Sequence, residues 1–420
     1  LATGGRIDRS KPMSFSFNGK TFQGFDGDTL ASALLANGVG IVGRSFKYSR
    51  ARGILGHGAE EPNALMQLHT GNAAVPNPRA TQVELFDGLV SGSTNGWPSA
   101  EFDLMEWVGK IGGKFMPVGF YYKTFMAPQK MWMTYEKFIR KAAGFGKLSL
   151  EPDPDTYDKI NAHCDVMVVG AGPAGLTAAL EAGRSGKRVI IVDEQNEFGG
   201  TLLANNQTVD GVDAATWAEQ ATAQLEAMSN VLVMPRTTAF GYYDHNFVCA
   251  LESRTDHIGP VSASGSRQRL HRIRAHQVIL ATGAIERPLV FGNNDLPGIM
   301  LANSVSTYIN RYAVVPGNRC VIMTTNDSGY QTALDIQAAG RTVVAVVDSR
   351  HAPDGRLVQQ AKAAGIEIMA GHGVIEAQGS KRVTGAIVAP LDAAGDTLTG
   401  PGKTLSCDLI AVAGGWSPVV

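Results

Sequence analysis

Three glycines, Gly170, Gly172 and Gly175, have the spacing Gly-x-Gly-x-x-Gly, the pattern in this sequence that most directly suggests chemistry. The apolar run 165–169 precedes them, and residues 173–184 have the composition of a helix. Between a strand and a helix, the first glycine permits a tight turn, the second lets a pyrophosphate approach the backbone, and the third lets helix and strand pack closely. Backbone N–H groups at the start of the helix can then bind phosphate. We therefore predict a dinucleotide-binding loop whose contacts come from Gly170, Gly172, Pro173, Ala174 and Gly175.

An acidic residue, Asp193, ends the next predicted strand, 188–192, about 20 residues beyond the loop, where a ribose-binding acid is expected. Its carboxylate would accept hydrogen bonds from the ribose hydroxyls and would repel a 2′-phosphate. Glu194 adds to that repulsion, so NADP is disfavoured. We include Glu194 and Gln195 in the predicted site because the adenosine must lie against this strand end, although both residues are also ordinary solvated turn residues.

Five further residues are assigned to the same site because they follow predicted strands. Paired glycines after the second strand allow the backbone to approach a cofactor, although an ordinary glycine loop explains them equally well. A strand over 278–281 ends in Thr-Gly, and an apolar strand over 231–234 precedes a segment that would lie near the adenine. The residues assigned on these grounds are Gly200, Thr201, Phe240, Thr282 and Gly283.

A second strand–helix–strand pattern runs through 320–324, 330–339 and 343–347. Its loop reads Thr-Thr-Asn-Asp-Ser-Gly over 324–329, and these side chains would crowd a pyrophosphate where glycines would be needed. We therefore expect a second, degenerate nucleotide-binding-like subdomain with a structural role.

The N-terminal region has the pattern of a small β-grasp domain. Alternating Ser-Phe-Ser-Phe followed by Asn18-Gly19 predicts a hairpin with a type I′ turn. Asp28 is the predicted N-cap of a helix over 29–36, and strands are predicted over 64–68 and 81–86. Residues 97–160 are rich in Trp, Met and basic side chains, and we interpret them as a connecting arm that includes a helix over 131–143.

Composition limits the class of protein. The 420 residues are 44% hydrophobic and 18% charged with a formal net charge of −1, which favours two to three domains and excludes a nucleic acid or an anionic membrane as the main partner. No apolar run is long enough to span a membrane. The four cysteines have no metal-ligand or disulfide spacing, so we predict no metal site and a cytoplasmic location. Three of them open or lie within apolar runs, where we expect buried free thiols. The four cysteines are Cys164, Cys249, Cys320 and Cys407.

Several motifs together resemble one family. Besides the glycine loop they include Ala281-Thr-Gly283, the segment Ser45-Phe-Lys-Tyr with Arg52-Gly-Ile, the run Glu60-Glu-Pro-Asn-Ala64, and Gly414-Gly-Trp-Ser-Pro418. Over essentially its whole length the sequence resembles the α subunits of heterotetrameric sarcosine oxidases, which belong to the flavoproteins with two dinucleotide-binding domains. The expected fold is therefore α/β: a Rossmann-like flavoprotein fold preceded by a β-grasp, ferredoxin-like domain. The expected boundaries are 1–96 (β-grasp), 97–160 (arm), 161–310 (dinucleotide-binding domain), 311–400 (degenerate subdomain) and 401–420 (return to the dinucleotide-binding domain).

The resemblance implies cofactors, partners and a reaction. In this family the α subunit binds NAD, the β subunit carries FAD, FMN lies at the interface between them, and γ and δ subunits complete the assembly. Sarcosine is oxidised with oxygen to glycine and hydrogen peroxide, and with tetrahydrofolate the one-carbon unit leaves as 5,10-methylenetetrahydrofolate. The folate-binding domain follows Gly414-Gly415 in the family, so we expect it to be missing from this sequence.

Two features of the sequence qualify that expectation. Some relatives hold an iron–sulfur cluster in the ferredoxin-like domain, but this chain has no Cys before Cys164 and cannot form a four-thiolate cluster there. The sequence shows no clear set of acid and base residues. A solvated or capping role explains His57, Glu60 and Glu61 equally well, and we assign no catalytic residue. FAD in place of NAD at the loop, a related proline or glycine dehydrogenase α subunit, and a non-catalytic dinucleotide-binding scaffold remain alternatives.

Overall fold

The structure is a computed structural model that describes residues 1–112, 119, 123, 127–260 and 265–419. The chain divides into two compact units. The first unit comprises Leu1–Pro152 and Glu286–Gly415, and the second comprises Asp153–Ile285 and Trp416–Val420. Part of the predicted connecting arm (113–118, 120–122 and 124–126) lies outside the described residues.

The N-terminal part of the first unit contains a five-stranded sheet and helix α1. Its elements are β1 (Asp8–Phe17), β2 (Lys20–Asp26), α1 (Leu30–Ala36), β3 (Gly43–Arg44), β4 (Ala51–Arg52), β5 (Leu65–Leu68), β6 (Val75–Arg79), β7 (Leu89–Ser93), α2 (Met105–Gly112) and α3 (Trp132–Ala143). The strand order is β2-β1-β7-β5-β6, with β1 and β7 parallel. Leu30 and Leu34 of α1 are fully buried in the same core as Phe15, Met66 and Leu89.

The structure confirms the predicted hairpin and corrects two details of this region. Asn18 and Gly19 both have positive φ, and Phe17 faces Lys20 across the turn. The N-cap of α1 is Thr29 rather than Asp28, because Thr29 and Ser32 form a reciprocal capping box. Residues 81–86 are not a strand: they are irregular apart from an isolated bridge at Glu84, and the strands adjacent in sequence are β6 and β7.

The second unit is built on a six-stranded sheet. Its elements are β8 (Tyr157–Val169), α4 (Pro173–Arg184), β9 (Val189–Val192), β10 (Thr208–Val209), β11 (Val212–Asp213), α5 (Ala214–Glu226), β12 (Val231–Met234), β13 (Thr237–Tyr243), β14 (Phe247–Ser253), β15 (Gln268–Leu280) and β16 (Ala284–Glu286). The strand order is β12-β9-β8-β15-β14-β13. The first four are parallel, and β13 and β14 are antiparallel additions at one edge. Apolar residues such as Val168, Leu176 and Ile191 are fully buried between the sheet and its helices.

The chain then returns to the first unit. Its remaining elements are β17 (Ile299–Leu301), α6 (Ala302–Tyr312), β18 (Arg319–Thr324), α7 (Ser328–Ala338), β19 (Thr342–Asp348), α8 (Arg356–Ala363), β20 (Ile368–Ala370), β21 (His372–Gly379), β22 (Val383–Pro390), β23 (Lys403–Ser406) and β24 (Leu409–Ala413). The last strand of the chain, β25 (Trp416–Pro418), belongs to the second unit and pairs with β16. The sheet β17-β24-β18-β19-β20 is parallel throughout. The predicted second strand–helix–strand pattern is therefore present as β18, α7 and β19.

The acid at the end of β19 is engaged internally. Asp348 is fully buried, accepts a hydrogen bond from the Tyr330 hydroxyl at 2.8 Å, and pairs with the Arg350 guanidinium at 2.7 Å. A Cβ on Gly329 would lie 2.7 Å from the Thr324 side chain, so this loop is closely packed. These contacts agree with the structural role expected for the second strand–helix–strand pattern, β18, α7 and β19.

All four cysteines are buried free thiols, which confirms the prediction made for three of them. Within the described residues, none of the helices combines the length and the hydrophobicity that crossing a membrane requires.

Candidate functional site

The carboxyl ends of four parallel strands in the second unit meet at one edge of the sheet. In the register, Val169 of β8 lies beside both Val192 of β9 and Leu280 of β15, and Val192 lies beside Met234 of β12. The residues that follow these strands are therefore neighbours at the same edge, the place where open α/β sheets bind ligands.

The first and third glycines of the loop are required by close packing. Gly170 has φ +96°, and a Cβ there would overlap the carbonyl oxygen of Ala281. A Cβ on Gly175 would overlap the carbonyl oxygen of Gly170 itself. These two positions therefore hold the turn between β8 and α4 tight, which is the role predicted for them.

The second glycine faces open space. Gly172 is the N-cap of α4, and a Cβ built on it finds no heavy atom within 4 Å. Pro173 follows at the first helical position, and the Leu176 N–H donates to the Gly172 carbonyl at 2.9 Å. The N–H groups of Ala174 and Gly175 belong to the first turn, where helical N–H groups have no intrahelical partner. The loop therefore presents N–H donors and the positive end of a helix dipole to an open space, as a phosphate site requires.

Asp193 holds the loop from the neighbouring strand end. Its Oδ2 accepts a hydrogen bond from the Ala171 N–H at 2.7 Å, and its Oδ1 accepts one from the Gln195 N–H at 2.9 Å. Each carboxylate oxygen thus accepts a backbone hydrogen bond. The carboxylate therefore links the turn after β9 to the glycine loop after β8.

A second glycine pair lies against the loop. The Gly199 N–H donates to the Ala171 carbonyl at 2.8 Å, and a Cβ on Gly200 would lie 3.0 Å from the Gly172 Cα. Gly200 begins a 3-10 turn, Gly200–Ala204, in which Thr201 is exposed. The structure therefore brings Gly200 to the loop, with Thr201 next to it on the surface.

Thr282 and Gly283 follow β15 at the same edge. The Ala281 N–H donates to the Val169 carbonyl at 2.8 Å, which fixes the start of this segment beside the loop. The Thr282 hydroxyl donates to the carbonyl of Val419, and the Val419 N–H donates to the Gly283 carbonyl at 3.1 Å. In this structure the Thr282 hydroxyl therefore bonds the backbone after β25.

Glu194 and Phe240 are placed differently from each other. Glu194 follows Asp193 in the turn after β9 and is exposed. Phe240 lies within β13, at the edge of the sheet, with 58% of its side chain exposed. The hydrogen bond from this segment to the Asp193 turn comes from the Thr237 N–H, 2.7 Å from the Asp193 carbonyl.

Four residues of this arrangement were not assigned from the sequence. Ala171 and Ala281 act through backbone groups, which any residue type supplies, so their identity gives no signal. Gly199 belongs to a glycine pair that the sequence does show, and its N–H is the group that contacts the loop. Arg236 has positive φ, and its N–H donates to the Gln195 carbonyl at 2.9 Å. It places a basic residue next to the turn that contains Asp193, Glu194 and Gln195.

The first unit contains a separate buried polar cluster around the start of α6. The Glu286 Oε2 accepts a hydrogen bond from the Asn303 N–H at 2.7 Å, whereas its buried Oε1 has no partner in the described part of the chain. The His57 Nδ1 lies 3.0 Å from the Ser304 Oγ and 3.3 Å from the Glu60 Oε1. Burial, reinforced by the negative charge of Glu60, raises the pKa of Glu286 to about 7, and burial lowers the pKa of His57.

Comparisons with known proteins agree with this architecture. A family model described as pyridine nucleotide-disulphide oxidoreductase matches residues 164–420, and one described as 2Fe-2S iron-sulfur cluster binding domain matches residues 10–96. The sarcosine oxidase subunit alpha of Rhizobium meliloti (strain 1021) is 48% identical over 99% of this chain and 41% of its own length. That of Corynebacterium sp. (strain P-1) is 40% identical over 99% of this chain and 38% of its own. The chain therefore spans about two fifths of the length of these relatives, and the predicted resemblance is confirmed.

A solved structure supports the fold. L-proline dehydrogenase from P. horikoshii superposes with a TM-score of 0.58 at 18% identity, covering 98% of this chain and 61% of that chain. The expected fold class, a dinucleotide-binding flavoprotein fold after a ferredoxin-like domain, is confirmed. The glycine loop and Asp193 lie within the longer matched range, and the chain belongs to the pyridine nucleotide-disulphide oxidoreductase family.

Proposed function

We propose that this chain is the dinucleotide-binding α subunit of a multi-subunit sarcosine oxidase. The observation that carries the proposal is the open position at Gly172, on a loop that Asp193 holds in place. The identity to sarcosine oxidase α subunits over 99% of the chain supports the choice of reaction.

The residues at the sheet edge fit NAD. A pyrophosphate would lie over Gly172 and accept hydrogen bonds from the N–H groups of Ala174 and Gly175, because a Cβ is absent where it must approach. The adenosine ribose would lie against Asp193 and Glu194, whose negative charges disfavour a 2′-phosphate. Gly200 closes the other side of the loop, and Gln195, Thr201, Phe240, Thr282 and Gly283 are the remaining proposed contacts. When bound, NAD supplies a nicotinamide ring that exchanges hydride.

The proposed activity belongs to an assembly. The chain would contact FMN at its interface with a β subunit, the β subunit would carry FAD, and γ and δ subunits would complete the complex. The complex would oxidise sarcosine with oxygen to glycine and hydrogen peroxide. With tetrahydrofolate bound by the rest of the α subunit, it would form 5,10-methylenetetrahydrofolate. In this proposal the described residues bind and orient cofactors, and amine oxidation takes place on the partner.

The test is an oxygen-electrode assay with sarcosine on the isolated chain and on the chain reconstituted with a β subunit, with extracted cofactors identified by mass. We expect the isolated chain to bind NAD and show no sarcosine-dependent oxygen uptake, and the reconstituted complex to gain FMN and turnover. Turnover by the isolated chain would mean that it carries its own catalytic flavin, and FAD extracted from it would contradict the NAD assignment. Oxidation of proline but not sarcosine by the complex would favour a related dehydrogenase.

A further inference from the structure

The first unit contains a cavity lined by both polar and aliphatic side chains. Its volume is about 240 Å³, and it lies between the loop 52–63 and the segment 294–299. One part of its lining is polar, with Arg52, Asn63, Asn294 and Asp295, and another is aliphatic, with Leu55 and Leu296. A ligand that fits it must therefore combine a polar group with a small apolar body.

Two arginines beside this cavity contact one carboxylate. The Asp295 carboxylate accepts hydrogen bonds from Arg50, at 2.6 and 2.7 Å, and from Arg52 as well. Both guanidinium groups therefore share the Asp295 carboxylate. The nearby carboxylate of Glu106 is already paired with Arg44 at 2.8 Å.

Arg52 keeps donors for a ligand. It contacts Asp295 through Nη1 alone, and in the described part of the chain neither its Nε nor its Nη2 has a hydrogen-bond partner. Its side chain is 22% exposed, so solvent or a ligand can reach it. A guanidinium with Nε and Nη2 available offers the paired donors that bind a carboxylate in a fork.

A buried carboxylate holds the loop that lines the cavity. Glu61 is fully buried and accepts four backbone hydrogen bonds: from Leu55 and Gly56 to Oε2, both at 2.7 Å, and from Asn63 and Ala64 to Oε1, at 2.7 and 3.0 Å. Leu55 and Asn63 both line the cavity. The Asn63 side chain also donates to the Gly53 carbonyl at 3.0 Å. The loop is therefore held in shape without a ligand, as binding sites usually are.

We propose that this cavity binds a small aliphatic carboxylate, zwitterionic amino acids included. The carboxylate would accept hydrogen bonds from Nε and Nη2 of Arg52, and the aliphatic part would lie against Leu55 and Leu296. An inorganic phosphate would satisfy the guanidinium but leave the aliphatic wall uncovered. The site uses none of the residues of the dinucleotide loop, so a test of this proposal is independent of a test of the proposed function.

Ligand-observed NMR titration with propionate tests the proposal on the whole chain. We expect wild-type protein to bind propionate, and Arg52→Met to weaken binding by about tenfold or more, since a charged hydrogen-bonded pair is lost. Arg272→Met, which removes an exposed arginine on β15, is the matched control and should bind like wild type. Equal propionate binding by Arg52→Met and wild type would overturn the proposal, as would binding of inorganic phosphate without binding of propionate.

A second measurement needs no variant and remains decisive if Arg52→Met fails to fold. Phenylglyoxal modification of wild-type protein is followed by mass spectrometry at Arg52 and Arg272, with and without propionate. We expect propionate to slow modification at Arg52 alone. An unchanged rate at Arg52, or equal slowing at both arginines, would contradict the site.

Discussion

The Asp193 carboxylate accepts a hydrogen bond from the Ala171 N–H at 2.7 Å, which joins the end of one strand to the glycine loop that follows its neighbour. The sequence spacing suggests only that Asp193 lies near a ribose. The contact gives it a second role, because the loop that would bind the pyrophosphate is held by the same carboxylate. Loss of that carboxylate is therefore expected to affect both halves of a bound dinucleotide.

Asp193→Ala is expected to weaken NAD binding by about 1.5–3 kcal/mol, the range for hydrogen bonds to a charged group. Isothermal titration calorimetry measures the change. Glu181→Gln, an exposed carboxylate on α4 of the same unit, is the control and should leave the affinity unchanged. An affinity for Asp193→Ala equal to that of wild type would remove Asp193 from the site.

Gly175→Ala is expected to destabilise the second unit, because the added Cβ would overlap the Gly170 carbonyl oxygen, a backbone atom that cannot move aside cheaply. Overpacking of this kind costs about 1–3 kcal/mol. Chemical denaturation followed by circular dichroism measures this loss of stability. Gly186→Ala is the comparison variant, because its Cβ would meet no heavy atom within 4 Å although its φ is +77°. It therefore reports backbone strain without steric overlap. A Gly175→Ala protein as stable as wild type would show that helix and strand are less closely packed than described.

The stability of the first unit should depend on pH through Glu286, whose pKa of about 7 in the folded chain exceeds its ordinary value of 4.5. A folded carboxyl that binds its proton more tightly than the unfolded one stabilises the fold at low pH, and this contribution is lost as pH rises from about 4.5 to about 7. The difference corresponds to about 3 kcal/mol. Urea unfolding at pH 5 and pH 8 should show this loss in wild type and a smaller one in Glu286→Gln. Equal pH dependence in the two proteins would contradict the assignment.

The ferredoxin-like region should contain no iron–sulfur cluster, although residues 10–96 match a 2Fe-2S domain model. Cluster ligation of that kind uses four thiolates, and no cysteine precedes Cys164. Elemental analysis should find less than one iron per chain, with no cluster absorption in the visible spectrum. About two irons per chain together with a cluster spectrum would show that other ligands have replaced the cysteines.

The sequence predicted best where local signals and tertiary packing agree. The helix over 173–184 was predicted with its observed bounds, because Gly172 and Pro173 mark its start and Gly186 follows its end. Residues 81–86 were predicted wrongly as a strand because their apolar side chains suit any buried segment. There the backbone instead packs against α1, where the Leu30 N–H donates to the Val83 carbonyl.

The sequence could predict only those parts of the candidate site in which a particular residue type is needed. The glycines and Asp193 are visible because few residues meet their requirements. The Ala171, Gly199 and Ala281 contacts use backbone groups, and the Thr282 hydroxyl bonds Val419, 137 residues away in sequence. Such contacts depend on which strand ends meet, and that is a property of the fold.

Gly172→Ala provides the most direct measurement of the central claim, that the open space over Gly172 is where a dinucleotide pyrophosphate binds. A Cβ there meets no protein atom within 4 Å and φ is −72°, so stability should change by no more than about 1 kcal/mol, the range for an N-cap glycine replaced by alanine. The same Cβ would occupy the space that the pyrophosphate needs. Calorimetric titration with NAD should therefore show an affinity at least about tenfold weaker, equivalent to about 1.4 kcal/mol. A stable Gly172→Ala protein that binds NAD as tightly as wild type would contradict the account.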